Sequence, residues 1–522
     1  MRALLIIVLL LITLAVGALA TLVACYTCTL PPIQAVPLPQ TATPADNTTW
    51  SARTLIDLAA ARKQLWDNTP VPYDAENPHY ARWGIEGFAE AGRRAGQVTD
   101  RAGYFYTLAA YINGFRDPHI QLSLEGDQLS TRWPGFIVSR AGDVAEVVYR
   151  DAADANAPPQ GAKIVACDGK PLTQLLDERV YPFRLDKRLA DDRRIAMSRL
   201  FLDRGNPFAP APSKCTVQMF EPGWSKGTIE ITLAWRNAPP TDDPWWEKYQ
   251  AAGIGPKAEW GLSEPAPGVT WIGVPTFSSD DENYPKLDAL IKAVEAKGAA
   301  MRNGRAIVID TRGNGGGNSS WADKLAAAIF TQEILARHKA PGREQAVDWR
   351  ASEANAAYWQ DWSDQMAKEF GAFSMNRFGA FAIAWQTRRI ASANPPMWRM
   401  GSCKPGRSGG LTKQRPRGTS PFPARVYVLS NGSCASSCLN FADTVLMVPG
   451  VTVLGSATSA DGAYMEVRSE KLPSGEATVT FPQKVERGAG RAPGEAYEAD
   501  IPYNGLWSDE AVRKWVLARV SQ

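Results

Sequence analysis

A serine that a short turn of small residues places at the start of a helix has the geometry that a hydrolytic nucleophile needs. The segment Ser430–Cys438 has this pattern, because a strand pattern at Arg425–Leu429 precedes it and a helical pattern follows it to about Met447. Helix capping would explain the same serines, and the segment does not match Gly-x-Ser-x-Gly. The turn alone therefore leaves both a nucleophile and a helix cap open.

A second turn has the composition of a site for negative charge. Residues Asp310–Gly317 read Asp-Thr-Arg-Gly-Asn-Gly-Gly-Gly, between a buried strand pattern at Ala306–Asp310 and a helical pattern at Ser320–Phe330. Glycines there let backbone N–H groups approach an anion, as in a phosphate site or an oxyanion hole. The run matches neither the P-loop nor the dinucleotide-binding pattern. An oxyanion hole and a plain tight turn remain.

A general base for such a serine is available among the three histidines of the chain. One of them, His119, follows directly after a helical pattern that stops at Asn113-Gly114, in the segment Asp117-Pro118-His119. An imidazole with an unperturbed pKa near 6.5 suits a base that works near neutral pH. A structural or solvated histidine is the alternative interpretation of this residue taken alone.

The overall composition is that of an ordinary globular protein. The 522 residues are too many for one domain core, so two or three domains are expected. The 57 basic and 54 acidic residues nearly balance, and the chain has no basic stripe with interleaved aromatics, so we expect no nucleic-acid partner. No Cys-x-x-Cys pairs with a second ligand pair at zinc spacing, and we expect neither a metal nor a cofactor.

The N-terminus predicts export. Arg2 is followed by an uncharged apolar run, Ala3–Ala24, which resembles a signal sequence and is long enough to span a bilayer. The run ends in Leu-Val-Ala and Cys25, which resembles a bacterial lipobox with Cys25 lipidated; an uncleaved anchor and simple secretion are the alternatives. We therefore expect an exported periplasmic or cell-envelope protein held at the membrane by its N-terminus. Disulfides are permitted there, and their pairing stays open.

The order of these segments resembles that of the S41 peptidases, the family of C-terminal processing proteases and tricorn-like proteases. The resemblance covers about residues 50–518 and is weakest over 331–420. Four segments carry it. Asp117-Pro118-His119 resembles the family's Asp-Gly-His-Thr segment, and residues 306–317 resemble its Leu-Asp-Leu-Arg-x-Asn-x-Gly-Gly strand and turn. Asn431–Phe441 resembles the family's nucleophile turn, and Val453–Thr458 resembles its Val-Ile-Gly-Glu-x-Thr strand.

The resemblance implies which serine attacks and what stabilises the oxyanion. Aligning Phe441 with the family's aromatic residue after the nucleophile selects Ser436 over Ser433 and Ser437. The backbone N–H groups of Gly316 and Ser437 are then the expected oxyanion hole.

The resemblance also implies the base. The processing-protease branch uses a lysine, but Asp461 stands at that position here, so the chain fits the tricorn-like branch with its histidine and late glutamate. His119 is then the general base for Ser436. The acid that orients it is Glu495, with Glu498 as the rival.

The predicted fold class is α/β, an S41-type protease core with an N-terminal helical domain and an inserted PDZ-like β-rich domain. The PDZ-like segment is carried by strand patterns around the Asp168-Gly169 turn. The expected boundaries are an export signal at 1–25, a linker at 26–49, a helical domain carrying His119 at 50–131, a PDZ-like domain at 132–240, and the core at 255–522 with an insertion at 331–420.

The expected function is a serine endopeptidase that hydrolyses peptides or unfolded proteins through a Ser-His-Glu triad and an acyl-enzyme. A catalytically inactive, PDZ-containing peptide-binding protein of the same fold is the main alternative, and an esterase with the same triad is another. The sequence leaves the substrate, the cleavage specificity and the oligomeric state open.

Overall fold

The computed structural model describes residues 48–520, except 127–128, 155, 220–226 and 340–343, together with residues 27–28, 30, 34–39 and 46. The expected export signal, with Cys25, lies outside the described residues. Within the described part of the chain, no helix combines the length and apolarity needed to cross a membrane.

Three helices form the N-terminal region. After strand β1 (Thr27–Cys28), the elements are α1 (Trp50–Asn68), a 3-10 turn (Val71–Tyr73), α2 (Pro78–Ala95) and α3 (Arg101–Asn113). Side-chain oxygens of Thr49 and Asp100 accept N–H groups at the starts of α1 and α3, which fixes both helix boundaries. The core of this region includes Leu65 and Tyr104 but also Phe481 from near the C-terminus. The helices therefore pack on a sheet formed by the distant end of the chain.

The next region is rich in strands and has its own core. Its elements are β2 (Gln121–Leu124), β3 (Arg132–Trp133), β4 (Phe136–Ala141), β5 (Val144–Arg150), β6 (Lys163–Cys167), β7 (Lys170–Pro171), α4 (Leu172–Arg179), α5 (Ala190–Leu200), β8 (Lys214–Gln218), β9 (Thr228–Thr232), β10 (Arg236–Asn237) and α6 (Pro244–Ala252). An antiparallel sheet runs in the order β4-β5-β6-β8-β9, with β7 on β6. Cys167 and Cys215 face each other across β6 and β8 and form a disulfide. The edge strand β9 is largely exposed. The PDZ-like character of this region stays a prediction.

The remaining elements belong to the predicted core and its insertion. In chain order they are β11 (Gly261–Ala266), β12 (Val269–Gly273), α7 (Tyr284–Arg302), β13 (Ala306–Asp310), α8 (Ser319–Phe330), α9 (Gln332–Arg337), β14 (Ala346–Arg350), α10 (Glu353–Phe370), α11 (Met375–Ile390), β15 (Met397–Gly401), a 3-10 turn (Leu411–Lys413), β16 (Arg425–Ser430), α12 (Ser437–Val445), β17 (Val451–Gly455), β18 (Tyr464–Lys471), β19 (Ala477–Arg487), β20 (Ile501–Pro502) and α13 (Asp509–Val520).

The central sheet runs β11-β12-β13-β16-β17-β20, and all its strand pairs are parallel except β11 with β12. Strands β12 and β13 are buried along their whole length, as expected for a parallel sheet covered on both faces. One face packs on α7, α8 and α12, and the other on α13. The α/β fold class is confirmed. The carboxyl ends of β13, β16 and β17 share one edge, where ligands of open α/β sheets bind.

The insertion at 331–420 contains strands as well as helices. Its strands β14 and β15 pair with each other and join a second sheet in the order β1-β15-β14-β19-β18, with β2 on β19. A hairpin of α10 and α11 separates the two strands in the sequence, so no local sequence pattern predicts that they pair. Cys28, near the start of the described residues, forms a disulfide with Cys403, which follows β15. This bond links the N-terminal segment covalently to the second sheet.

Candidate active site

The backbone at Ser436 has a conformation that residues other than glycine seldom adopt. Strand β16 ends at Ser430, and Ser436 precedes α12 with φ 53° and ψ −122°. Such strain persists only where the surroundings enforce it, and it is characteristic of functional turns. Here the Asp461 carboxylate accepts the Ser436 N–H at 2.6 Å, and a disulfide between Cys434 and Cys438 closes around the serine. The strand–turn–helix geometry of a nucleophile is therefore present without the Gly-x-Ser-x-Gly motif.

The glycine-rich turn after β13 packs directly against this serine. Gly316 has φ 97°, and a Cβ there would lie 2.7 Å from the Ser436 Cβ. The Ala435 N–H donates to the Asn314 carbonyl at 3.2 Å, and the Ser437 hydroxyl donates to the Gly317 carbonyl at 2.5 Å. The structure thus brings the two turns together, as the sequence analysis expected, and glycine is required because no side chain fits.

The predicted oxyanion donors are placed differently from each other. The Ser437 N–H, at the first position of α12, has no acceptor among the described residues. The Gly316 N–H donates to the Asn314 side-chain oxygen at 3.0 Å. The structure therefore gives the Gly316 N–H a partner other than the predicted oxyanion and leaves Ser437 as the open donor of the pair.

His119 reaches the same place from the turn after α3. Asp117 accepts the His119 backbone N–H at 2.8 Å, and its carboxylate lies 3.5 Å from Nδ1 of the ring without forming a hydrogen bond of good geometry. Nε2 lies 3.9 Å from Oδ2 of Asp461, the oxygen that also accepts the Ser436 N–H. Tyr80 donates to Asp117 at 2.9 Å and fixes that carboxylate. His119 and Ser436, far apart in the sequence, thus meet at one buried carboxylate.

Two opposing effects set the protonation of His119. Burial disfavours the imidazolium, but the carboxylates of Asp117, Asp461 and Glu486 favour it and raise the pKa of His119 above its usual value. Burial also raises the pKa of Asp461, against the lowering influence of His119, Arg491 and the Ser436 N–H. Proton uptake by His119 and Asp461 is therefore coupled.

The late glutamate lies elsewhere. Glu495 accepts the N–H of Gly410 at 2.9 Å and that of Ala492 at 3.0 Å, so it fastens the end of the insertion to the segment after β19. The carboxylates within 4.0 Å of the His119 ring nitrogens are those of Asp117 and Asp461. The rival Glu498 is exposed and is not among them. The structure therefore does not bring the predicted third triad member to His119.

This acidic pair was not predicted from the sequence, although a signal for it exists. Gly462 follows Asp461, and a Cβ at Gly462 would lie 2.4 Å from the Asp117 carboxylate. A residue without a side chain is therefore needed for the two acidic segments to approach each other. The Asp461-Gly462 pair, at the position where the processing-protease branch has its lysine, was the available signal.

A cleft of about 430 Å³ adjoins the site. Its lining includes Asp117, Pro118 and Ala460, and also Phe183 and Arg184 from the strand-rich region. A bound peptide would thus touch both the core and the inserted region. Among the described residues, no group of three or more His, Cys, Asp or Glu side chains could hold a metal ion.

Comparison with known proteins agrees with this architecture. Residues 268–494 match the model of peptidase family S41. The fold is similar to mature CPAF in complex with lactacystin, at 15% identity and a TM-score of 0.55 over 90% of this chain and 99% of that one. It is also similar to a serine-to-alanine mutant of CPAF, at 13% identity and a TM-score of 0.55 over 90% and 96% of the two chains. No curated protein sequence matches the chain.

The parallel sheet, with its glycine-rich and serine turns at one edge, defines the class as an α/β protein of the S41 peptidase fold. Residues 268–494 are an S41-family peptidase domain. The matched range contains Ser436 and Asp461, whereas His119 comes from the helical region that precedes it.

Proposed function

We propose that this protein is a serine peptidase in which Ser436 attacks a peptide carbonyl and His119 accepts the serine proton. The observation that carries the proposal is the meeting of both residues at Asp461, which lies 2.6 Å from the Ser436 N and 3.9 Å from His119 Nε2. The S41 family match over the serine-bearing domain supports the same chemistry.

The reaction begins from a neutral His119. In this conformation Nε2 faces Asp461, and no hydrogen bond joins it to the Ser436 hydroxyl; catalytic hydrogen bonds often tighten only when substrate binds. Proton transfer to Nε2 accompanies formation of the bond between Oγ and the carbonyl carbon. The Ser437 N–H stabilises the resulting oxyanion. His119 then protonates the leaving amine, and water hydrolyses the acyl-enzyme with His119 again as base.

The buried carboxylates have separate tasks in this proposal. Asp117 binds the His119 backbone and lies beside Nδ1, which orients the ring and stabilises the imidazolium. Asp461 holds the strained Ser436 backbone and also favours the imidazolium. Together they take the role that the sequence analysis assigned to Glu495.

We further propose that the strand-rich region recruits peptides or unfolded proteins, because its edge strand β9 is exposed and sheet edges bind extended peptides. Export and N-terminal membrane attachment are proposed from the sequence alone. Unchanged size and membrane fraction of a Cys25→Ala variant would rule out lipidation.

Labelling with a fluorophosphonate tests the proposed nucleophile. We expect the wild-type chain to be labelled and to cleave an unfolded protein, and Ser436→Ala to lose both. Ser433→Ala, three residues earlier in the same turn, is the matched control and should keep both. A labelled and active Ser436→Ala variant would refute the assignment. Peptide binding by a wild-type chain without labelling or turnover would identify the inactive, peptide-binding alternative.

A further inference from the structure

A small recess lies between α3, α5 and the loop that follows α5. Its volume is about 90 Å³, which is room for several water molecules or a small anion. Among the described residues that line it are one carboxylate, that of Asp203, and four arginines: Arg179, Arg184, Arg199 and Arg204.

Two of these arginines, Arg184 and Arg199, have no counterion among the described residues. Asp203 is already bound by Arg132 from outside the recess, and Arg179 pairs with Asp168 at 3.3 Å. Within the described residues, neither Arg184 nor Arg199 has a carboxylate within 4.0 Å. Repulsion by Arg199 is the largest influence that lowers the pKa of Arg184. An anion between the two guanidinium groups would relieve this repulsion.

An asparagine supplies an independent sign of a ligand. Asn206 lines the recess and is 8% exposed. Its side-chain oxygen accepts the Phe208 N–H at 3.0 Å, which fixes the orientation of the amide, and its NH₂ group has no acceptor among the described residues. The Nε of Arg199 is likewise buried without a partner. Buried donors normally have acceptors, so these groups indicate an acceptor that the described chain does not supply.

The recess is connected to the candidate active site. Phe105, Phe183 and Arg184 line both the recess and the cleft, and the cleft extends to Asp117 and Ala460 beside the catalytic residues. A peptide lying in the cleft therefore passes the mouth of the recess. Apolar side chains such as Phe183 and Leu200 form part of the recess wall, which suits an organic ligand better than a bare inorganic ion.

We propose that this recess is a specificity site that binds a carboxylate of the bound peptide, from an acidic side chain or from the chain end. Guanidinium groups match the planar carboxylate and form charge-assisted hydrogen bonds with it, and the Asn206 amide adds a neutral donor. The proposal rests on the proposed peptidase function for its substrate, but binding can be measured without turnover.

The test uses the full-length Ser436→Ala chain, which binds peptide without cleaving it. Calorimetric titration compares three peptides of one sequence: a capped peptide with one Glu, the same peptide with Gln, and the Gln peptide with a free carboxyl end. We expect the Glu or the free-acid peptide to bind about tenfold more tightly than the capped Gln peptide. Whichever of the two is preferred identifies the source of the carboxylate.

Adding Arg199→Gln to the Ser436→Ala chain should abolish that preference, so that the three peptides bind with nearly equal affinity. Arg93→Gln removes the same charge from an exposed position on α2 and should preserve the preference. Arg184→Gln, at the exposed mouth of the recess, repeats the test if Arg199→Gln alters the circular dichroism spectrum. Equal binding of all three peptides, or a preference that survives both recess variants, would overturn the proposal. So would inorganic phosphate binding that depends on Arg199 without any peptide preference, since the ligand would then be a free anion.

These titrations need no catalysis, so the two proposals can fail separately. If the Ser436→Ala chain prefers acidic peptides but the wild-type chain never cleaves peptides, the peptidase proposal is refuted and the proposed specificity site stands. A chain that cleaves peptides without regard to acidity would do the reverse.

Discussion

Two charged regions of this protein differ in whether their charges have partners of opposite sign. Around His119, the chain surrounds one titratable base with the carboxylates of Asp117, Asp461 and Glu486. In the recess near α5, Arg184 and Arg199 face each other with no carboxylate of the described chain within 4.0 Å. The first region carries its own counter-charges, whereas the described part of the chain supplies none to Arg184 and Arg199 in the second.

On the functions proposed above, the first region serves proton transfer and the second serves binding. A histidine among buried carboxylates can change its charge near neutral pH, and its partners set the pH at which it does so. Arginines hardly titrate, so their repulsion can be relieved only by an anion. We therefore expect the two regions to respond differently to mutation, pH and salt.

The largest expected effect comes from removing the base. His119→Ala should lower kcat/KM by roughly 10⁴-fold or more without unfolding the protein, because an unassisted serine hydroxyl is a weak nucleophile. Lys471→Ala, a control for the lysine-based mechanism, should be nearly neutral, since that side chain is largely exposed. Steady-state kinetics on an unfolded protein substrate measures both. Full activity in a folded His119→Ala variant would show that His119 is not the general base.

A smaller effect should follow from pushing the acidic segments apart. Gly462→Ala places a Cβ 2.4 Å from the Asp117 carboxylate, so Asp117 or Asp461 must move relative to His119. Since misplacement by about 1 Å can cost roughly 10²-fold, we expect a loss of that order in kcat/KM. Gly379→Ala, in a helix where the added Cβ meets nothing within 4 Å, is the control. Equal activity of both variants would show that the close approach of the acidic segments is dispensable.

Neutralising Asp461 should shift the pH profile more than it lowers the maximum rate. The base works when neutral, so kcat/KM falls as the pH drops through the raised pKa of His119. Asp461→Asn removes one of the charges that raise this pKa and keeps an oxygen for the Ser436 N–H, so the acidic limb should move to lower pH. Asp461→Ala also leaves that N–H unpaired and should lose about a further tenfold in kcat. An acidic limb that stays in place in both variants would contradict the coupling.

The smallest effect belongs to the recess. Without ligand, Arg199→Gln should raise the free energy of unfolding by a few tenths of a kcal/mol at low salt, because it relieves repulsion with the partly solvated Arg184. The gain should vanish in concentrated sodium chloride. Urea denaturation at two salt concentrations measures it, with Arg93→Gln as the reference. A variant that is destabilised, and more so at low salt than in concentrated sodium chloride, would show that Arg199 already has a counterion.

Much of the fold and part of the site could be predicted from local sequence. The buried strand Ala306–Asp310 and the turn around Ser436 carry their own patterns, because a strand and a helix start depend mainly on neighbouring residues. The strands of the insertion were missed, since pairing across a helical hairpin leaves no local trace. Disulfide pairing was likewise undetermined, and the structure joins Cys28 with Cys403, Cys167 with Cys215 and Cys434 with Cys438.

The sequence by itself determined which residue types were available for chemistry: a serine at a helix start, a glycine-rich turn, and a histidine after an aspartate. The tertiary structure alone decided which carboxylates face His119, because Asp117 and Asp461 come from distant segments that meet through Gly462. It also decided that Glu495 accepts the backbone N–H of Gly410, from another loop, and that of Ala492 in its own segment. Electrostatic partners are set by distance in space and by burial, and neither quantity is encoded in the spacing of residues along the chain.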